Sequence, residues 1–511
     1  MSRLDSYAEF LDKLRLHGSK VAILDSRTDD KYSYEELSRL SIRLTDVLKK
    51  QELRKGDRLL LYAVSGIDWV PLFLAAQLVG VVVVPVDTRV SSELLHSMVK
   101  KTKPKLIVND ADIRIDTKVK TVQSKQLIEA AKKSKKNLVI NPIDASNAGQ
   151  ILLTSGTWSD PKGVSLRQSN VLENMQSASK AYNLDKNEVL LSILPLSHAY
   201  EQMCGLHMPL LAGCKIVYID EITGDKIKSA IKKYKVSLIV SVPRILDLFQ
   251  KGILHKIPDN KLPTVLKINK ILRYAPVSVR RKFFAKVHAG LGPSLKTLAV
   301  GGAPLSLEVD KFFQGLGYKT LLGYGLSETS PIISLHKNQY GRKQGDVGQV
   351  LDNIEFKINK TNELLVRGPS VFAGYYPESR KDSEWFNTGD LVVESNRQIR
   401  LMGRSKNLIV FANGDKVTAE EIEHKIDSLP SVEENIVLSH DTKTGTSKGI
   451  TIVYKSKKDL DKSEVHRYLA SFLPTSARLI SIKNIHPELL DRTHTMKLAR
   501  KNIHKKFISQ E

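Results

Sequence analysis

The sequence predicts an α/β fold in two parts, a large N-terminal region on parallel sheet and a small mixed C-terminal domain. Three observations predict it. The chain has 511 residues, more than one hydrophobic core usually holds. Segments of helical period alternate with short apolar runs of strand type, the mark of parallel α/β sheets. After Gly403-Arg404-Ser405-Lys406 that alternation gives way to a separate mixed pattern. Apolar content of 41% with 26% charged residues places the chain among globular rather than disordered proteins.

Taken in order, Leu4, Tyr7, Leu11 and Leu14 share a helical face and suggest a docked surface helix. Residues 34–50 repeat apolar positions at helical spacing, and 57–63 read as a strand. The most apolar stretch, 69–86, contains Pro71, Gln77, Gly80 and Pro85 and is followed by Asp87. It predicts a buried helix, a glycine break and a four-valine strand rather than a membrane span. Residues 94–99 read as helix and 105–108 as strand. Residues 110–148 are lysine-rich and read as a surface connection with one helix. Strands follow at 189–194, 215–219 and 237–242, with a helix at 225–234. Residues 297–300 run into the turn Gly301-Gly302-Ala303-Pro304, and 347–400 are rich in short strands. The last part predicts strand 407–411, a turn at Asn413-Gly414, helix 418–427, strands 433–438 and 449–454, helix 463–471 and a basic tail.

Lysine and arginine outnumber aspartate and glutamate 79 to 55, a net charge of +24. This suits attraction to polyanions such as ATP, CoA, an acidic carrier protein or an anionic membrane face. No nucleic-acid partner is expected, because no recognition motif is present and aromatics are only 6%. The two cysteines, Cys204 and Cys214, make no disulfide framework or metal cluster and fit a reducing cytosol. The N-terminus lacks an apolar signal core. A cytoplasmic protein is expected, with peripheral contact on the inner face of a membrane left open.

The chemistry concentrates in a few segments. Leu152-Leu153-Thr154-Ser155-Gly156-Thr157-Trp158-Ser159-Asp160-Pro161-Lys162-Gly163 joins a strand-like run to hydroxyls, glycine and one lysine. Those groups suit a phosphate cradle; a solvated turn between strands is the alternative. The order is not that of a Walker A loop. Tyr324-Gly325-Leu326-Ser327-Glu328-Thr329 offers an aromatic face and a carboxylate, or else a capped helix start. Asn387-Thr388-Gly389-Asp390 offers a ribose acceptor or a plain hairpin turn. Leu401-Met402-Gly403-Arg404-Ser405-Lys406 and Asp491-Arg492-Thr493-His494-Thr495-Met496-Lys497 complete the set.

In this order and at these separations, the segments resemble the adenylate-forming superfamily of acyl-CoA synthetases, luciferases and peptide-synthetase adenylation domains. The resemblance runs from Tyr34 to Lys497. Leu194-Pro195-Leu196-Ser197-His198-Ala199-Tyr200-Glu201 and Ser241-Val242-Pro243-Arg244 resemble the long-chain fatty acyl-CoA synthetase branch. The resemblance implies an N-terminal domain over 1–403, made of stacked α/β sheet subdomains plus a β-rich one. It further implies a hinge at 404–406 and a small mobile α+β domain over 407–511.

It also implies two half-reactions. A carboxylate attacks Mg·ATP to give an acyl-adenylate, and the thiol of CoA, or of an acyl carrier protein, then takes the acyl group. By resemblance, Thr154, Ser155, Gly156, Thr157 and Lys162 hold the β/γ-phosphates, and Glu328 holds Mg²⁺, with Ser327 or Thr329 donating nearby. Tyr324 packs on adenine; Gly325 belongs to the same nucleotide turn. Gly301, Gly302 and Ala303 wall the adenine and acyl pockets, which Gly323 and His198 also line. Asp390 accepts the ribose hydroxyls with help from Arg404. Lys497 bridges carboxylate and α-phosphate, Lys406 is the hinge, and Asn413-Gly414 lines the thiol tunnel. Trp158-Ser159 and Met496 stand where the family has glycine. A core histidine is the other reading of His198. The expected function is a long-chain fatty acid–CoA ligase. The rivals are an acyl-carrier-protein ligase and a non-catalytic nucleotide- or lipid-binding scaffold.

Overall fold

The structure, a computed structural model, describes residues 3–111, 113, 115, 117–134, 140–157, 160–219, 221–337, 340–411, 413–427, 429, 432–442, 446–456, 459–470, 472–473, 477–485 and 500–508. The chain forms two compact units. The first holds residues 1–355 with 367–386, and the second holds 356–366 with 387–511.

The first unit carries two sheets. One orders the strands Gly374–Tyr376, Asp160–Arg167, Ala148–Thr157, Val82–Val86, Arg58–Tyr62, Leu106–Asn109 and Lys120–Val122. Its centre is parallel, and its edge, from Ala148–Thr157 outward, is antiparallel. Val82–Val86 is buried at all five positions. That burial is why it reads as an unbroken apolar run rather than an alternating one. The preceding helix, Trp69–Val79, is buried all round and ends at Gly80, whose φ of +76° only glycine adopts cheaply. Helix Tyr34–Lys50 starts at a capping box between Ser33 and Glu36 and buries Leu37, Leu40, Leu44 and Leu48 on one face.

In the other sheet, Val21–Asp25, Lys215–Tyr218, Val189–Ser192, Leu238–Ser241, Thr297–Val300 and Lys319–Gly325 run parallel. Ile332–His336 and Asp346–Val350 then continue antiparallel. Helices Gly224–Lys233, Pro243–Leu254 and Leu307–Leu316 share one core with these strands, including Leu246, Phe249, Phe313 and Leu298. The lysine-rich connection holds its expected helix, Ser124–Lys133, and also the short edge strand Lys120–Val122, whose three exposed or half-buried residues give no apolar signal. Among the described residues no helix is long and apolar enough to cross a membrane, and both cysteines are free.

The second unit holds, all but Phe386, the antiparallel strands Phe386–Ser395 and Gln398–Arg404. It also packs helices Ala419–Asp427 and Lys462–Leu469 on the sheet Val432–Asp441, Ser447–Ser456, Leu479–Asn484. Its last helix, Arg500–Phe507, is tied by Arg500 Nη2 at 2.6 Å from Glu423 Oε1. Burial pushes the Glu423 carboxyl up to about 7 although Arg500 pulls it down.

Candidate functional site

The predicted phosphate loop is the tip of a hairpin. Strands Ala148–Thr157 and Asp160–Arg167 pair antiparallel, with Leu153 opposite Gly163, Thr154 opposite Lys162 and Thr157 opposite Asp160. The backbone of Thr154, Ser155, Gly156 and Thr157 is therefore strand, facing the strand that carries the lysine. Trp158-Ser159 lies outside the described residues. On the other side, Gly374–Tyr376 pairs with the lysine strand, setting Tyr375 opposite Val164.

That pairing builds a three-residue group. Lys162 Nζ sits 5.0 Å above the centre of the Tyr375 ring, a cation–π distance. The Tyr375 hydroxyl donates to Glu328 Oε1 at 2.9 Å. Burial and the neighbouring Glu328 charge both push the Tyr375 phenol upward, so it remains a donor. The Glu328 backbone carbonyl accepts from Phe372 N–H at 2.8 Å, which fixes the turn. Two of the predicted site residues, Lys162 and Glu328, are thus joined through Tyr375. No expectation named Tyr375, because only strand pairing brings it beside residues far away in sequence.

Glu328 stands on the short 3₁₀ turn Ser327–Thr329. Thr329 is fully buried. Its hydroxyl accepts from Leu326 N–H at 3.1 Å and donates to the Pro331 carbonyl at 2.7 Å, so it builds the turn. Gly325 cannot be replaced there, since a Cβ would lie 1.7 Å from the Pro331 carbonyl oxygen. Tyr324 is buried, and Ser327 is half-buried.

The strand Lys319–Gly325 that ends in this turn also walls an apolar cavity of about 50 Å³. Gly323, Val300, Tyr200, Cys204, Met208 and His336 are among its lining. Gly301 makes room for one wall, because a Cβ would meet the Tyr200 ring at 2.8 Å. Gly302 has φ +77° in the turn after Thr297–Val300, and Ala303 follows it, half-buried. His198 precedes the turn Ala199–Glu201 and contributes to the field at Asp87. Burial would raise that carboxyl, but hydrogen bonds from Arg89 outweigh it and hold it low.

Behind Tyr200 the chain forms a π-helix, Gln202–His207, a form often found at functional sites. Glu201 is fully buried there. Its Oε1 accepts from Ser192, and Oε2 has no hydrogen-bond partner. Burial drives its carboxyl up to about 8. His207 is a core histidine. Its Nδ1–H donates to the Gln202 carbonyl at 2.7 Å, so Nε2 accepts the Tyr7 hydroxyl at 2.8 Å.

In the second unit, Asp390 and Arg404 face each other across the hairpin, with Arg404 Nε 2.6 Å from Asp390 Oδ1. Asp390 is buried, and its N–H donates to Thr388 Oγ1 at 3.1 Å. Lys406 is exposed on the turn Ser405–Asn407. Asn413 and Gly414 form the turn between Leu408–Val410 and Lys416–Thr418, where Gly414 N–H donates to the Phe411 carbonyl at 2.9 Å. Lys497, His494 and Met496 lie outside the described residues.

Known proteins resemble this chain in sequence and in fold. The family model for the AMP-binding enzyme matches residues 10–376. The long-chain-fatty-acid–CoA ligase FadD15 of Mycobacterium tuberculosis is 25% identical over 76% of this chain and 71% of its own. The long-chain-fatty-acid–CoA ligase 1 of Saccharomyces cerevisiae is 25% identical over 83% and 74%. The chloroplastic long-chain-fatty-acid–[acyl-carrier-protein] ligase AEE15 of Arabidopsis thaliana is 28% identical over 58% and 50%. Among solved structures, ATP-bound MatB from Rhodopseudomonas palustris superposes with a TM-score of 0.80 at 21% identity, covering 97% of this chain and 98% of that one. MenE from Bacillus subtilis, with ATP and magnesium, gives 0.79 at 20% identity over 97% and 98%. The chain belongs to the AMP-binding enzyme family, the adenylate-forming acid–CoA ligases. Its fold is theirs, with a large N-terminal and a smaller C-terminal domain.

Proposed function

We propose that this protein is an ATP-dependent fatty acid–CoA ligase acting through an acyl-adenylate. The observation that carries the reading is the strand Lys319–Gly325. It walls an apolar cavity at Gly323 and, through the turn it enters, presents Glu328 to Tyr375 and Lys162. A hydrophobic acid and a polyphosphate thereby find matching surroundings along one rigid element.

A carboxylate and a triphosphate repel each other, so the enzyme must neutralise and align them. Lys162 brings a positive charge beside the hydroxyl-bearing strand Ala148–Thr157. Glu328 gives a carboxylate oxygen fixed by a phenol donor, the hard ligand Mg²⁺ takes from a protein when phosphates supply others. Bound there, the ion would draw negative charge from the phosphates. Asp390, already gripped by Arg404, is our ribose acceptor. Lys497 acts on charge developing at the α-phosphate, so it governs rate more than binding. Lys406 is the hinge between domains 1–403 and 407–511, with Asn413-Gly414 beside the thiol. A cytoplasmic setting with peripheral attachment to a membrane suits such an acid.

CoA is the acceptor we favour over a carrier protein, since the relatives named as CoA ligases match more of the chain than the carrier-protein ligase does. The test is carboxylate-dependent ATP–pyrophosphate exchange across a panel of acids, followed by oleate and Mg·ATP with CoA or holo-carrier protein. Exchange with fatty acids and an oleoyl-CoA product are expected. No exchange with any acid would sink the enzyme reading. Lys497→Ala should abolish exchange while ATP binding survives.

A further inference from the structure

One stretch of the first unit has a composition that the proposed chemistry does not use. Helix Leu262–Leu272, the turn after it and helix Val277–Phe283 lie side by side in sequence. Between residues 260 and 286 there is no aspartate or glutamate. Lys261, Lys267, Lys270, Lys282 and Lys286 are exposed there. So are the large apolar residues Leu266, Ile271, Tyr274, Val277, Val279 and Phe283. Ile271 is 63% exposed, Tyr274 71% and Phe283 56%.

Single exposed apolar residues are ordinary, but a run of them marks an interaction surface. These six fall within 18 residues (266–283), while the other exposed large apolar residues among those described are scattered from Leu16 to Tyr468. Tyr274 is held in place rather than loose. Its ring stacks on Tyr340 with centroids 6.4 Å apart, and Arg273 lies 4.8 Å above it. The Tyr340 hydroxyl accepts from the buried Arg280 at 3.1 Å. The surface is thus anchored from beneath.

We propose that this face, residues 266–283 with Tyr340 and the flanking lysines, docks the enzyme on the surface of an anionic lipid bilayer. Charge complementarity names the occupant. The exposed cations are lysines, which protein–protein interfaces avoid and which reach past buried apolar neighbours to lipid phosphates. Short apolar side chains and tyrosines between them match the depth at which interfacial helices lie. The attraction is electrostatic at range and apolar at contact, so both parts are required. Docking there would set the enzyme on the phase in which a fatty acid dissolves. The inference needs only the surface, and its test reads binding without catalysis.

The full-length protein is floated with phosphatidylcholine vesicles, with and without phosphatidylglycerol, at low and high salt. Binding to the anionic vesicles only, weakened by salt, is expected. Two variants separate the parts. Ile271→Ser with Tyr274→Ser and Phe283→Ser removes the apolar contacts. Lys267→Glu with Lys270→Glu and Lys282→Glu removes the attraction and leaves those contacts. Each should lower vesicle partitioning at least tenfold while octanoate-dependent exchange and the melting temperature hold. Wild-type binding that ignores lipid charge, or variants that bind as well as wild type, would overturn the proposal. So would a wild-type dimer that the serine variant turns into a monomer, or capture of an acidic carrier protein through the same residues in place of lipid.

Discussion

Tyr375 puts a phenol hydrogen on one carboxylate oxygen of Glu328 and a ring face under the Lys162 ammonium. Removing the hydroxyl alone leaves the ring and deletes the charge-assisted bond, commonly about 1.5–3 kcal/mol. Tyr375→Phe should therefore slow ATP–pyrophosphate exchange about tenfold and raise the magnesium concentration needed for half-maximal rate. Tyr375→Leu should do worse, because the cation loses its ring as well. A Phe variant with unchanged magnesium dependence would separate Tyr375 from the carboxylate we propose as the magnesium ligand. As candidates, Lys162 was legible in the sequence from the hydroxyls and glycine around it, and Glu328 from the family resemblance of its segment. Tyr375 was not, since Gly374-Tyr375-Tyr376 reads as any short strand. Its role comes from the register that sets it opposite Val164, and register is not written in one strand.

At the scale of elements, the cavity beside Lys319–Gly325 measures about 50 Å³, about a third of a cavity that admits benzene, roughly 150 Å³. On the function we propose, an acyl chain would enter only by displacing its lining. Met208, at the head of helix Met208–Ala212, is unbranched and the side chain best able to move. Met208→Ala should raise kcat/KM for palmitate relative to octanoate several-fold; an unchanged ratio would place the chain elsewhere. Strongly periodic elements were readable in advance, such as Tyr34–Lys50, whose apolar stripe and Ser33–Glu36 box specify it locally. The strand Lys31–Ser33 and the π-helix Gln202–His207 were not. The first is half-exposed and short. The second depends on Glu201 occupying the space beside Gly205, where a Cβ would lie 2.2 Å from its carboxylate.

For the whole molecule, two buried groups set opposing pH slopes. Burial raises Glu201 to about 8 from 4.5, so its contribution to stability is complete at low pH and is lost as pH rises through 8. Burial lowers His207 to about 4 from 6.5, so its contribution is complete above 6.5 and is lost as pH falls. Between pH 4.5 and 6.5 the two offset each other. From 6.5 to 8 the Glu201 slope is no longer offset by His207, on the order of 2 kcal/mol at about 1.4 kcal/mol per unit, and Glu423, raised to about 7, adds the same sign at the low end of that interval. Thermal melting should show wild type losing stability over that interval and Glu201→Gln losing much less, staying nearly flat above pH 7. Equal slopes would mean Glu201 ionises freely. Length and the alternation of helical and strand patterns foretold a multidomain α/β chain, but not that residues 356–366 belong with 387–511. The backbone therefore passes between the two units three times, after residues 355, 366 and 386. A protease that nicks the chain at one passage therefore leaves two other covalent threads between the units intact.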